Sequence, residues 1–470
     1  MMHYLFNHPF AILLAGIVGG SIMWITPPED VNPQAIPMLA IFVFTILGII
    51  LRAFPMGTIA LFGLTLSLIT GTLSFSQAFS GFSHEVVWLI VAAFFISRGF
   101  IKTGLGERIA YCLIHLFGKN SLGMSYGLLM SDLLLAPAIP SVTARVGGIL
   151  FPIVRSLASA FGSEPHIHPQ RLGAFLIKTT FQGSLITSSM FITAMAANPL
   201  IVSIASGYGL TITWGSWALA AAIPGGFALL ILPLFLHRLA PPTIKKTPQV
   251  KKIAHQKLQM MGTLKKSEWI MIITFILLII LWAGYGTIIK PVVAAMVGLI
   301  ILLATALLSW EDIIGEKGAW STFIWFSVLI TMAHYLTAFG LTSWFSHWVQ
   351  EHILHYHWSI AFVLLTLIYC YSHYFFASIM AHISAMYPPF LLLMTGLGAP
   401  PLASALMLAF VSNLMGGLTH YASGPAPIFF GAGYLSVGDW WRLGLYSSLI
   451  TLTIYLTIGS GWWYLLGIFQ

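Results

Sequence analysis

Long apolar runs recur along almost the whole of this chain. From Phe10 to Leu466, runs of roughly 17 to 25 apolar residues follow one another, and each is long enough to cross a hydrocarbon core about 30 Å thick. Only 7% of the 470 residues are charged, whereas a soluble domain has about 25%. The sequence therefore predicts an all-α polytopic membrane protein.

Three observations exclude other classes. The first apolar run, 10–26, has no basic segment before it, so it is interpreted as a transmembrane helix and not as a signal peptide. Cys112 and Cys370 lie in or beside apolar runs, which excludes a disulfide framework and a metal-thiolate site. The formal charge of +8 comes from basic residues in short loops, where they set membrane topology, so nucleic-acid binding is not expected.

A basic linker, 238–267, interrupts the apolar pattern. Its Lys and Arg residues lie between Arg238 and Lys266, and that stretch contains no Asp or Glu. Cytoplasmic loops of membrane proteins are enriched in Lys and Arg, so the linker is predicted to be cytoplasmic. It divides the chain into two halves of similar size.

Each half contains five single runs and one pair of runs in the same order. After the opening run, the first half has runs near 36–52, 57–74 and 85–103, then a pair near 122–159, then runs near 172–205 and 214–236. The second half has runs near 269–287, 289–309 and 320–340, then a pair near 358–397, then runs near 400–434 and 443–467. Five crossings plus a pair is an odd number, so two copies joined by a cytoplasmic linker must have opposite orientations. The prediction is an inverted repeat of about 11 transmembrane helices, with the N-terminus cytoplasmic and the C-terminus on the opposite side.

The two pairs of runs are predicted to be re-entrant hairpins. The turn SVTAR at 141–145 corresponds to SIMAH at 378–382, and a proline follows each serine by eleven positions, at Pro152 and Pro389. Non-helical backbone at membrane depth is tolerated where protein or a water-filled cavity surrounds it. At such a tip, free N–H groups and the positive end of a half-helix form a cradle for an anion.

A broken helix follows each predicted hairpin, at 172–205 and 400–434. Interrupted segments at corresponding positions of two halves indicate a binding site near the membrane midplane. The candidate substrate-binding residues are Ser141, Val142, Thr143, Arg145, Thr187, Ser188, Ser189, Asn198, Ser378, His382, Asn413, Thr419, Ser423, Gly424 and Pro425.

Charge predicts an anionic ligand. Arg145 and His382 occupy equivalent positions in the two turns, while Asp132 is the acidic residue that lies well inside an apolar run. A buried arginine requires an anionic partner or water, and a bound anion would provide one. Two alternatives stay open, because Arg145 could instead form a structural ion pair with Asp132, and His382 could be a hydrogen-bonded core histidine. The hydroxyls at 187–189 could likewise bond to helix carbonyls.

Four segments carry a resemblance to a known family. APAIPSVTARVGGILFPIV, ITSSMFITAMAANPL, HYFFASIMAHISAMYPPFL and SGPAPIFFGAGY resemble the divalent anion/sodium symporter family, and are most similar to its branch of 2-oxoglutarate/malate translocators and citrate/succinate antiporters. The resemblance covers nearly the whole chain in order. It implies a secondary transporter of small dicarboxylate-type anions, with no enzymatic activity and no cofactor, in a bacterial-type inner membrane.

The resemblance also implies a homodimer whose protomers each move a transport domain against a scaffold, as in an elevator. On this chain the scaffold would comprise 1–120 and 268–357. The transport domain would comprise 121–237, with its hairpin at 122–159, and 358–470, with its hairpin at 358–397. The substrate would lie at the two hairpin tips.

The turns differ from the family pattern at three positions. Val142 replaces an asparagine, and Ile379 and Met380 replace smaller or polar residues. An apolar side chain provides no oxygen for an ion, which disfavours tight sodium coordination. Exchange without sodium, with Arg145 and His382 supplying the positive charge, is therefore the first hypothesis. A sodium-coupled symporter of dicarboxylate, tricarboxylate or sulfate is the second.

Two further functional classes fit the sequence less well. A membrane haem or metal enzyme could use His373, His382 and His420, but these positions have no HExxH motif and no clustered carboxylates. A channel would share the polar breaks, but a two-hairpin inverted repeat favours alternating access over a continuous pore. Malate, succinate, 2-oxoglutarate, citrate and tartrate all stay open as substrates.

Overall fold

The computed structural model describes residues 2–27, 31–51, 53–284, 288–341, 344 and 357–469, with side chains from residue 10 onward. Within these ranges the regular structure is helical, and the only β-bridges found there are isolated. The last residues of the run predicted at 269–287 and the end of the unit predicted at 268–357 lie outside the described residues. The all-α prediction is confirmed.

The helices of the first half are α1 (Met2–Ile22), α2 (Ala35–Ile50), α3 (Met56–Ile69), α4 (Phe75–Ala78), α5 (Glu85–Thr103), α6 (Leu105–Phe117), α7 (Ser121–Leu135), α8 (Phe151–Ala160), α9 (Gly173–Met190), α10 (Asn198–Gly207) and α11 (Trp214–Leu239). Those of the linker and second half are α12 (Gln249–Met261), α13 (Lys266–Gly284), α14 (Pro291–Ala304), α15 (Trp310–Ile314), α16 (Lys317–Ala338), α17 (Trp358–Ser372), α18 (Ile379–Gly396), α19 (Pro401–Leu414), α20 (Ala426–Gly431), α21 (Val437–Ile454) and α22 (Ser460–Leu465).

Seven helical segments of the described chain are long and apolar enough to cross a membrane. They are Glu85–Thr103, Trp214–Leu239, Lys266–Gly284, Lys317–Ala338, Trp358–Phe375, Ile379–Gly396 and Val437–Leu465. Shorter apolar helices include α2, α3 and α14. The chain is a multi-pass membrane protein.

The linker defines one face of the molecule, which we call the linker face. The Ser121 N–H donates to the Lys245 carbonyl, and the Ile244 N–H donates to the Arg171 carbonyl, so α7 and α9 begin at this face. Lys102 at the end of α5 forms a salt bridge with Asp312 of α15, which places the start of α16 there too. Counting back from α5, which ends at the linker face, the preceding membrane helices alternate in direction. Helix α3 therefore begins at the linker face, and α2 ends there.

Each half contains a hairpin that enters the molecule and returns to its own face. In the first, α7 ends at Leu135, and the backbone turns at Pro137 and Pro140 because proline cannot continue the helix. A π-helical segment, 143–150, then runs into α8. In the second hairpin, α17 ends at Ser372 and α18 begins at Ile379 after the N-cap Ser378, whose hydroxyl accepts from the Ala381 N–H.

The helix that follows each hairpin is broken, as predicted. The first continues from α9 to α10 through an irregular stretch at 191–197, and the second from α19 to α20 through 415–425. In both, the break lies beside a hairpin tip. For example, the Ala196 N–H donates to the carbonyl of Pro140 in the first tip. The first hairpin starts at the linker face and the second at the opposite face, so the repeats are inverted.

Candidate functional site

A central cavity of about 870 Å³ brings the two hairpin tips together. Its lining includes Ser141–Thr143 of the first tip and Ser378–Met380 of the second tip. The second break contributes Ser423, Gly424 and Pro425. Parts of the chain that are more than 200 residues apart in sequence therefore share one cavity, as the repeat predicted.

The two repeats touch directly within this cavity. A Cβ atom added to Gly424 would lie only 2.5 Å from the Thr143 hydroxyl oxygen. Real Cβ contacts do not occur at that distance, so only glycine fits beside Thr143 without a shift. Both Thr143 and Gly424 are exposed to the cavity.

The lining suits an anion because of helix ends and hydroxyls rather than formal charge. Among the described residues that line the cavity, none has a charged side chain. The helical stretch 143–160 and helix α18 both begin at the cavity. The first N–H groups of a helix have no partner within the helix, and this end carries a partial positive charge. The hydroxyls of Ser141, Thr143 and Ser378 add hydrogen-bond donors.

Arg145 lies behind the first tip and does not line the cavity. Its side chain is completely buried, and Nε donates to Asp132 Oδ1 at 2.8 Å. Nη1 donates to the carbonyls of Ile139 and Ala194, and Nη2 donates to the Ser188 hydroxyl. The structure thus places Arg145 in the ion pair that was its alternative interpretation, and the protein itself supplies its acceptors.

His382 also lies behind its tip. It is fully buried and outside the cavity lining, with Nε2 3.0 Å from the Ser372 hydroxyl and Nδ1 2.9 Å from the Met415 sulfur. The centroid of its ring lies 4.6 Å from the ring centroids of Tyr369 and Phe376. This is the environment of the core histidine that the sequence left open.

The hydroxyl cluster of the first broken helix bonds to protein. Thr187 donates to Asp132, and Ser188 and Ser189 donate to helix carbonyls one turn earlier. These three side chains are buried outside the cavity lining. Their hydrogen bonds stabilise the Asp132–Arg145 pair and helix α9, and these side chains do not contact the cavity.

The asparagines of the two broken helices bond to each other. Asn413 Nδ2 donates to Asn198 Oδ1 at 2.8 Å, and Asn198 Nδ2 donates to the carbonyls of Ser188 and Phe191 at the end of α9. Both asparagines and Thr419 are fully buried, and none of them lines the cavity. This asparagine pair links the break of the first broken helix to the second broken helix.

Seven of the fifteen candidate residues therefore line the cavity, and eight do not. The lining residues are Ser141, Val142, Thr143, Ser378, Ser423, Gly424 and Pro425. The apolar side of the cavity was not predicted from the sequence; it includes Ile49, Phe54, Met56, Phe94, Leu185 and Met195. Apolar residues in an apolar chain carry no signal that marks them as a cavity wall.

The three histidines considered as metal or haem ligands make other contacts. His373 Nε2 lies 2.9 Å from the Ala422 carbonyl, and His420 Nδ1 accepts from the Trp441 indole. In the ranges that the structure describes, no group of three or more His, Cys, Asp or Glu side chains could hold a metal ion.

Comparison with curated proteins finds relatives over nearly the full length of the chain. The chain is 52% identical over 460 residues to the Bacillus subtilis protein named "Putative malate transporter YflS", covering 97% of this chain and 96% of the relative. It is 48% identical to the Arabidopsis thaliana chloroplastic dicarboxylate transporter 1, covering 97% and 83% of the two chains. It is 35% identical to the Escherichia coli inner membrane protein YbhI, covering 93% and 94%.

Among solved structures, the chain is similar to the crystal structure of the Alcanivorax borkumensis YdaH transporter. The TM-score is 0.58 at 14% sequence identity, and the match covers 87% of this chain and 89% of the other. At this identity the match supports the fold alone.

The family comparison agrees with the motifs. The model of the sodium:sulfate symporter transmembrane region matches residues 8–469 of this chain. The chain therefore belongs to the sodium:sulfate symporter family, the divalent anion/sodium symporter family that its hairpin and break motifs predicted.

Proposed function

We propose that this protein is a secondary transporter that exchanges small dicarboxylate-type anions across a bacterial inner membrane, without sodium. One observation carries the proposal: the two hairpin tips and the second break line a single cavity that has hydroxyls, helix N-termini and no carboxylate among its described lining residues. The names of the relatives, a malate transporter and a chloroplastic dicarboxylate transporter, support the substrate class.

The cavity supports alternating access. It extends to Ile49, Phe54, Pro55 and Met56, at the linker-face ends of α2 and α3. With the basic linker in the cytoplasm, this is a state open to the cytoplasm. The wall formed by α2, α3 and α5 belongs to the proposed scaffold, while the tips and breaks belong to the proposed transport domain. Movement of the transport domain against the scaffold, in each protomer of a homodimer, would carry the site across the membrane.

The surroundings of the first tip do not fit a sodium ion. Sodium requires several oxygen ligands, and the carbonyls of Ile139 and Ala194 accept hydrogen bonds from Arg145 at 2.8 and 2.7 Å. A guanidinium stays protonated at any physiological pH. Arg145 thus occupies the place that a dissociable cation would need, and it cannot leave during the transport cycle.

Fixed groups favour exchange over one-way transport. The helix N-termini stay at the site after the anion leaves, whereas a sodium ion could leave with it. Moving an empty site would carry uncompensated partial positive charge through a region of low dielectric, which is unfavourable. A returning anion removes that cost, so the loaded site moves more readily than the empty one.

A sodium-coupled symporter is the second candidate, supported by the second break. Within the described part of the chain, Asn413 Oδ1, Thr419 Oγ1 and Ser423 Oγ are buried without a hydrogen-bond partner. Oxygen atoms are the ligands that hard cations prefer. Sodium replacement distinguishes the two candidates.

Uptake of radiolabelled malate into proteoliposomes tests the proposal. Vesicles preloaded with unlabelled malate are expected to take up at least about tenfold more label than empty vesicles, since the empty site returns slowly. Replacement of all sodium by choline should leave this uptake unchanged. Equal uptake by empty vesicles would contradict exchange, and loss of uptake in choline would favour the symporter. Failure of malate, succinate, 2-oxoglutarate, citrate and tartrate alike to exchange would contradict the substrate class.

A further inference from the structure

A second cavity, of about 620 Å³, lies at the linker face. It is bounded by the first turns of α9, the end of α11 and the segment that leads into α21. It shares no lining residue with the central cavity. The transport function proposed above leaves it without a role, and the inference drawn here does not depend on which anion the central cavity carries.

Lys178 lies in the wall of this second cavity and is a buried lysine without a carboxylate partner among the described residues. Its side chain is 1% exposed, and Nζ donates to the Trp440 carbonyl at 3.0 Å. The ammonium also lies 4.1 Å from the centroid of the Trp440 ring. Across the described residues, the salt bridges involve Lys102, Arg108, Arg145, Lys290 and Arg442, and none involves Lys178.

The contacts of Lys178 compensate only part of its burial. Removing an ammonium from water is costly even after relaxation. A desolvated cation–π contact returns only part of that cost. The ammonium has three donors, and the acceptor found for it in the described part of the chain is the Trp440 carbonyl. An anion in the adjacent cavity would supply the missing charge and acceptors.

The rest of the lining also favours an oxyanion. Arg442 provides a second cation, and the single carboxylate of the described lining, Asp439, already accepts from Arg442 and from the Ser436 hydroxyl. Thr179 adds a fully buried hydroxyl that has no hydrogen-bond partner among the described residues. The cavity wall thus contains two basic side chains and an unused donor beside one carboxylate that is already bonded.

The position of the cavity indicates where such an oxyanion comes from. Leu239, at the end of α11, lines the cavity and is 38% exposed. It lies at the linker-face end of α11, whose more central residues Leu230 and Leu234 are exposed as expected for side chains that face lipid. The cavity therefore lies at the linker-face end of a helix long enough to cross the membrane, at the depth expected for phospholipid headgroups.

We propose that this cavity is a binding site for a phosphate group, with Lys178 as its anchoring cation. Lysine is a common phosphate ligand because it offers a compact point charge. The headgroup of an anionic phospholipid and free inorganic phosphate both present this chemistry. Apart from Leu239, Ala240 and Pro241 at the start of the linker, the lining lies within the proposed transport domain, so the occupant would move with that domain.

Thermal unfolding of the purified full-length protein in detergent tests the proposal. Phosphatidylglycerol, phosphatidylcholine and inorganic phosphate are titrated separately, because a ligand that binds the folded state raises its stability by mass action. A saturable rise in Tm is expected with phosphatidylglycerol or with inorganic phosphate, and it should exceed the rise with phosphatidylcholine. A rise with phosphatidylglycerol alone assigns the site to a headgroup, and a rise with inorganic phosphate assigns it to the free anion as well.

Three variants locate the effect, each compared with its own unliganded Tm. Lys178→Met is expected to weaken the apparent affinity at least about tenfold, and Arg442→Gln is expected to weaken it less. Lys252→Gln, on the exposed surface of α12, should leave the shift unchanged. A full shift in Lys178→Met, a loss of shift in Lys252→Gln, or no shift from either phosphate source in the wild type would overturn the proposal. If Lys178→Met does not fold, an undiminished affinity in Arg442→Gln would also overturn it.

Discussion

Replacement of Arg145 by methionine is expected to destabilise the folded protein by about 3–5 kcal/mol, because it leaves the carboxylate of Asp132 buried without its ion-pair partner. Both side chains are fully buried, so solvent cannot take over the role of the guanidinium. The carbonyls of Ile139 and Ala194 lose their donor as well. The first tip should loosen, and the Tm of the purified protein in detergent should fall accordingly.

The double variant Arg145→Met with Asp132→Ala separates the ion pair from the carbonyl contacts. It should be more stable than Arg145→Met alone, because no buried carboxylate is left unpaired. It should not reach the wild type, since the two carbonyls and the Ser188 hydroxyl still lack their partner. Arg442→Met, which removes an exposed ion pair, should change stability by about 1 kcal/mol or less. An Arg145→Met variant as stable as Arg442→Met would contradict this account of the first tip.

Replacement of Gly424 by alanine is expected to lower malate exchange at least about tenfold while the protein stays folded. The new Cβ would lie 2.5 Å from the Thr143 hydroxyl oxygen, so the hydroxyl must rotate away, or the tip or the second break must shift. The shift occurs where both repeats are proposed to contact the anion. We therefore expect anion binding to be impaired more than the stability of the folded protein. Exchange in proteoliposomes and the Tm in detergent measure the two effects separately.

Gly431→Ala is the matched control for this prediction. Gly431 ends α20 in the same segment, and a Cβ there would have nothing within 4 Å. This variant should exchange malate like the wild type. If Gly424→Ala did so too, the contact between Thr143 and the second break would have no part in transport.

The fold was predictable because its main devices are local in sequence. Pro137 and Pro140 end the first helix of the first hairpin, and Ser378 caps the helix after the second tip. The Lys and Arg residues of the linker are visible in the sequence. The apolar runs predicted the helices, although α3 ends at Ile69, several residues before the predicted 74. The chain turns there at Gly71, which has a positive φ of 67° that favours glycine.

The site was only partly predictable because the burial of a side chain and its hydrogen-bond partners depend on tertiary packing. A polar residue beside a break could face a cavity or the protein interior, and the sequence does not distinguish Thr143, which lines the cavity, from Thr187, which bonds to Asp132. For Arg145, the sequence shows Asp132 as an alternative partner, yet the two acceptor carbonyls come from separate irregular stretches. Their approach depends on how the tip packs against the first break.

Labelling of a cysteine at position 143 tests most directly the claim that the anion binds at the hairpin tips. In a Cys112→Ser background, Thr143→Cys places a thiol in the central cavity, while the native Cys370 is buried. A hydrophilic maleimide should label the new thiol, and saturating malate should slow that labelling at least about tenfold. A separate Lys252→Cys variant, on the exposed surface of α12, should label at the same rate with and without malate. Labelling at position 143 that is as fast with malate as without it, for a protein that still exchanges malate, would contradict the account.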